Sequence, residues 1–93
     1  MITDNNNYIE ERLKDSELPS EINKCNFISC WIRNKKNVVF NNCNIDLTVL
    51  DSPATFNYCN IYYNEDTELP EGCILYMSNY VEKQEEEPEQ SGG

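Results

Sequence analysis

The sequence predicts a mainly β fold, a small parallel β-solenoid of three to four coils with an amino-terminal capping helix. Three observations carry that expectation. A six-residue phrase occurs three times, as Ile22-Asn23-Lys24-Cys25-Asn26-Phe27, Phe40-Asn41-Asn42-Cys43-Asn44-Ile45 and Phe56-Asn57-Tyr58-Cys59-Asn60-Ile61. Large apolar residues recur at five-residue steps, each with a small residue two places before it, as in Cys25/Phe27, Cys30/Ile32, Cys43/Ile45 and Cys59/Ile61. A five-residue step matches neither the 3.6-residue period of a helix nor the two-residue period of an ordinary strand, so it points to stacked coils. Finally, 93 residues leave room for one small core and no second one.

The elements follow in chain order. Residues 1–19 read as the cap: Tyr8, Ile9 and Leu13 fall near helical spacing with Glu10, Glu11 and Lys14 outward, and Pro19 stops the helix. An open solenoid end exposes core and strand edges, so a cover is needed there. Residues 20–82 form the solenoid. The phrase repeats after 18 residues and then after 16, from Ile22 to Phe40 to Phe56, so an irregular or triangular coil is expected, with shortened corners at Lys35-Lys36-Asn37 and at Pro53. Residues 64–72 are acidic and turn-rich and form a loop, after which Cys73-Ile74-Leu75-Tyr76-Met77 resumes the pattern as a partial coil or edge strand. Residues 83–93, dominated by glutamate, have the composition of a disordered acidic tail.

Coils stacked about 4.7–4.9 Å apart turn repeated residues into columns. Ile22/Phe40/Phe56, Cys25/Cys43/Cys59 and Phe27/Ile45/Ile61 are the interior columns, and alternating large and small columns fill a narrow core. The Asn23/Asn41/Asn57 and Asn26/Asn44/Asn60 columns can bond amide to amide between coils.

These residues carry a resemblance to the pentapeptide-repeat family, whose unit is a small residue, Asp or Asn, a central Leu or Phe, and two polar residues. Cys25-Asn26-Phe27-Ile28-Ser29, Cys43-Asn44-Ile45-Asp46-Leu47 and Cys59-Asn60-Ile61-Tyr62-Tyr63 match it best, over residues 20–63 with an extension to 82. The resemblance implies a right-handed parallel β-helix in a short, irregular form. It also implies a role, because some members resemble duplex DNA in width and charge and occupy the DNA-binding grooves of topoisomerases. Small acidic phage inhibitors block restriction or CRISPR effectors by related means.

Composition excludes several chemistries. The chain has no histidine, so no Cys–His catalytic pair can form within it. Five cysteines without a Cys-x-x-Cys step argue against a zinc site, and their odd number argues against a disulfide framework. With three glycines and no phosphate-cradling loop, no enzymatic activity and no cofactor are expected. The formal charge of −10 disfavours direct nucleic-acid binding, although Lys24, Arg33, Lys35 and Lys36 with Trp31 make a small basic, aromatic spot. No apolar run approaches the roughly 18 residues of a membrane span and no secretory leader is recognisable, so a cytoplasmic, membrane-free protein is expected.

Two binding roles remain. The acids are concentrated at the ends: net charge is about −3 over residues 1–19, +1 over 20–63 and −8 over 64–93. The first role is partial nucleic-acid mimicry, in which Glu65, Asp66, Glu68 and Glu71 contact basic residues of a nucleic-acid-handling protein and inhibit it. The second is a protein-interaction or homodimer module, in which outward-facing Trp31, Leu47, Val49 and Tyr63 form an apolar face.

Overall fold

The computed structural model describes residues 1–84. Its strands are β1 (Asn7–Ile9), β2 (Arg12–Lys14), β3 (Glu21–Asn23), β4 (Asn26–Ile28), β5 (Trp31–Arg33), β6 (Val39–Asn41), β7 (Asn44–Asp46), β8 (Val49–Leu50), β9 (Thr55–Asn57), β10 (Asn60–Tyr63), β11 (Ile74–Tyr76) and β12 (Asn79–Glu82). They wind into a parallel solenoid of about four turns and three faces. One face stacks β1-β4-β7-β10-β12, the second β2-β5-β8, and the third β3-β6-β9-β11. All the pairings are parallel, in the registers the repeats require: Ile22 lies beside Phe40 and Phe40 beside Phe56, while Phe27, Ile45 and Ile61 follow one another on the first face.

Inward residues sit five apart on two sides of each coil before the 64–72 loop, as in Ile22, Phe27, Ile32 and in Phe40, Ile45, Leu50. The third side absorbs all the variation in length. Leu13 to Ile22 spans nine residues, Ile32 to Phe40 eight, and Leu50 to Phe56 six. The irregular offsets of the sequence are therefore one variable corner, which shortens at Pro53 as expected.

The interior is apolar and layered. Ile22, Phe27, Ile32, Val38, Phe40, Ile45, Ala54, Phe56 and Ile61 are fully buried. Cys25, Cys43 and Cys59 form the buried small column. Their thiols point at backbone carbonyls of neighbouring rungs, such as Cys59 Sγ donating to Phe40 O at 3.3 Å. Phe40 stacks on Phe56 with ring centroids 5.1 Å apart and meets Phe27 edge-on at 5.8 Å.

Outside, the asparagine columns bond as ladders. Asn41 Nδ2 donates to Asn23 Oδ1 and Asn57 Nδ2 to Asn41 Oδ1, both at 2.9 Å. The other ladder is longer than expected, running from Asn7 through Asn26, Asn44 and Asn60 to Asn79. Buried Asn34 closes a corner by donating to Lys36 O and Ser52 O and accepting from Ser52 N. The turns need left-handed backbone at non-glycine residues, among them Lys24, Asn42 and Tyr58 in one corner column and Ser29 and Leu47 in another.

The amino-terminal segment corrects the sequence reading. Among the described residues there is no α-helix; the only helical piece is one 3-10 turn, Asp15–Glu17. The solenoid instead begins one coil early: Tyr8 pairs with Phe27 in register and Leu13 with Ile32. Tyr8 and Leu13 are five residues apart, the solenoid step, whereas Ile9 points outward and is 56% exposed. The stripe that looked helical was the repeat itself, signalled by Asn7-Tyr8 standing where later coils have Asn26-Phe27 and Asn44-Ile45.

Capping falls to extended chain. Ile2 and Leu18 are buried, and Ile2 N donates to Glu17 O at 3.1 Å. The Asp4 carboxylate accepts from Asn23 N and Asn23 Nδ2, which continues an asparagine ladder by one rung. At the other end, among the described residues, β11 pairs only with β9, and β12 only with β10. Of the acidic tail expected at 83–93, residues 85–93 lie outside the described residues.

Candidate interaction surface

The eight residues singled out from the sequence fall into two groups. Glu65, Asp66, Glu68 and Glu71 are all exposed on the loop 64–72, which replaces a fourth strand on the β2-β5-β8 face. Local bonds set its shape: Asp66 N donates to Asn64 Oδ1 and Asn64 N to Thr67 Oγ1, both at 2.9 Å, and Leu69 N donates to the Tyr80 hydroxyl. Leu69 packs on the core and holds the loop down. Glu65 and Asp66 share a cleft of about 370 Å³ with Glu82. The nearby base Lys83 is already 3.1 Å from Asp46.

Trp31, Leu47, Val49 and Tyr63 are gathered less completely. Trp31 and Val49 are register partners on β5 and β8, and half-buried Leu47 sits at the corner before β8. Tyr63 lies a coil further along and stacks on Tyr80, with centroids 4.1 Å apart. Trp31 is not a bare apolar anchor. Its indole N–H donates to Asp51 Oδ1 at 2.6 Å, and the Arg12 and Arg33 guanidiniums lie 5.1 and 4.7 Å from its ring. It is 37% exposed within a polar, cationic setting.

The apolar surface is concentrated elsewhere, on the last coil. Ile74, Tyr76 and Met77 are 60, 55 and 69% exposed, and Val81 is 46%. Leu75 and Tyr80 occupy inward columns above Phe56 and Ile61, yet stay exposed because no further coil covers them among the described residues. Leu75 and Tyr80 stand five residues apart, the step of the core columns, and only their place on the last coil turns them into surface.

Cys25, Cys30 and Cys73 are poor nucleophiles. Burial pushes the thiols of Cys25, Cys30 and Cys73 above the ordinary value, so they are held as neutral thiols. No group of metal-binding side chains occurs among the described residues, nor does a helix long and apolar enough to cross a membrane. Comparison of the chain with protein-family models, curated proteins and solved structures gives no match, so what the structure establishes of the resemblance is a parallel β-solenoid compatible with a pentapeptide-repeat-like fold.

Proposed function

We propose that this protein is a non-enzymatic, pentapeptide-repeat-like binder that docks on a basic surface of a nucleic-acid-handling protein and inhibits it. One observation carries the reading: among the described residues an exposed apolar end, Ile74 to Met77 with Val81, stands beside a loop bearing Glu65, Asp66, Glu68 and Glu71 and no base. Apolar contact supplies the anchor, while the acids steer toward cationic sites of the kind that hold phosphates. The acidity lies at the end of the solenoid, so mimicry here is partial and local, not a charged rod along its length.

Supercoiling by a type II topoisomerase and DNA cleavage by a restriction endonuclease and a CRISPR effector test the reading at several salt concentrations. Wild type should inhibit at least one activity. Replacing Glu65, Asp66, Glu68 and Glu71 by lysine should weaken that inhibition by about tenfold or more and flatten its salt dependence. Unchanged potency after charge reversal removes the idea.

A second reading, self-association, has support in the edges of β11 and β12, which no strand among the described residues pairs. Two copies meeting end to end would bring their acidic loops together, which disfavours it. Sedimentation of wild type and the Tyr76→Ala, Met77→Ser variant over a range of concentrations decides: a persistent monomer rules self-association out.

A further inference from the structure

A second feature lies away from the open end, on the β2-β5-β8 face and its corner. Of the seven basic residues in a chain of charge −10, Arg12, Lys14, Arg33, Lys35 and Lys36 all come together here. Register places Lys14 directly across from Arg33 on the neighbouring strand. Like charges opposed in this way repel, and nothing in the core demands them, since Leu13 and Ile32 between them do the packing.

Lys14, Arg33 and Lys35 line one cleft of about 390 Å³ with Ser16. Its two acids are already engaged. Asp15 Oδ1 accepts the Lys35 backbone N–H at 2.6 Å, and its other oxygen is 3.7 Å from Lys36 Nζ. Asp51 accepts from the Trp31 indole and lies 3.5 Å from Arg33 Nε. That contact uses Arg33 Nε and leaves the two terminal amino groups of its guanidinium to donate elsewhere. No carboxylate among the described residues lies within ion-pair distance of the Lys14 or Lys35 ammonium.

We infer that this cleft is an oxyanion site for a small soluble phosphate-bearing ligand. A guanidinium fork, two ammonium groups and a hydroxyl lining one cleft are the donor set that suits phosphate oxygens. The volume sits at the small end of the roughly 300–1,000 Å³ typical of small-molecule sites, enough for two or three phosphate groups. A long polyanion is disfavoured, because the acidic loop follows β8 on the same face while Glu10 and Glu11 precede β2, and a chain running beyond the cleft would meet these acids. The site is separate from the proposed docking end and independent of it.

Trp31 is the only tryptophan in the chain, and its neighbours Arg33 and Asp51 border the cleft, so its fluorescence reports on occupancy. The experiment titrates the full chain with inorganic pyrophosphate, with sodium chloride at matched ionic strength as the control. A saturable change with pyrophosphate is expected. Lys14→Gln with Lys35→Gln should weaken it by about tenfold or more, while Lys14→Arg with Lys35→Arg should retain it. Both pairs change exposed side chains, and circular dichroism verifies their folds. A response equal to that of chloride, or one indifferent to the Gln pair, overturns the proposal. So does tighter binding of a peptide copying residues 64–72, which would make this face a docking surface for acidic chain.

Discussion

Phe40→Ala tests the arrangement of the interior most directly. Phe40 has no exposed surface, lies between Ile22 and Phe56 in register, stacks on Phe56 and meets Phe27 edge-on. Burying a phenylalanine and then truncating it to alanine costs about 3–5 kcal/mol, including lost aromatic contacts and the cavity left behind. The tube cannot collapse easily onto that cavity, because each wall is held by backbone ladders to the coils on either side, so the upper half of the range is expected. Total stability at about 0.05–0.15 kcal/mol per residue is roughly 5–14 kcal/mol, so the variant should lose from about a third to nearly all of it. With a urea m-value of about 2 kcal/mol/M, the midpoint read by circular dichroism should fall by about 2 M. Ile9→Ala, at a site 56% exposed, should move it by no more than about 0.3 M. Equal shifts for the two variants, or a Phe40→Ala cost below about 1 kcal/mol, would show that the inward and outward assignments are wrong.

Further outcomes follow from the same geometry. Asn44→Ala removes two rungs of a ladder, the bonds to Asn26 and from Asn60, and should cost about 1–2 kcal/mol by urea unfolding; a neutral effect would make the ladder ornamental. Leu47 holds a φ of 50° that a leucine adopts only with strain, so Leu47→Asn should raise the thermal midpoint by a few degrees, and a lower midpoint would mean that Leu47 contributes more by packing. The raised thiols of Cys25 and Cys30 give a signed pH dependence. The folded state holds their protons more tightly than the unfolded chain, so this part of stability is complete below pH about 9 and is lost as pH rises through the folded values. Urea midpoints measured from pH 7 to 11 should therefore fall above about pH 9, and fall less in a Cys25→Ala, Cys30→Ala variant; identical slopes would contradict it.

Most of the interior was legible because it is periodic. Cys25, Cys43 and Cys59, the Phe40/Phe56 column and both asparagine ladders appear in the sequence as one phrase repeated, and packing in a narrow tube leaves such residues little other choice. The first coil was harder to read. Tyr8, Ile9 and Leu13 suit a short helix as well as a rung, and the five-residue step becomes decisive only when Tyr8 finds Phe27 and Leu13 finds Ile32 nineteen residues on.

Surface chemistry is where sequence and tertiary structure part company. Glu65, Asp66, Glu68 and Glu71 lie within one short stretch of sequence, so their clustering needed no fold to be seen. The cationic cleft joins Lys14 to Arg33 and Lys35 across a variable corner, and an early helix would have kept them apart. Likewise Leu75 and Tyr80 bear the marks of core residues, and become surface only because the stack ends above them. A short repeat specifies which side chains face in, since burial acts on every coil alike; which outward groups become neighbours depends on register between distant coils and on where winding stops, and those are decided only when the chain closes on itself.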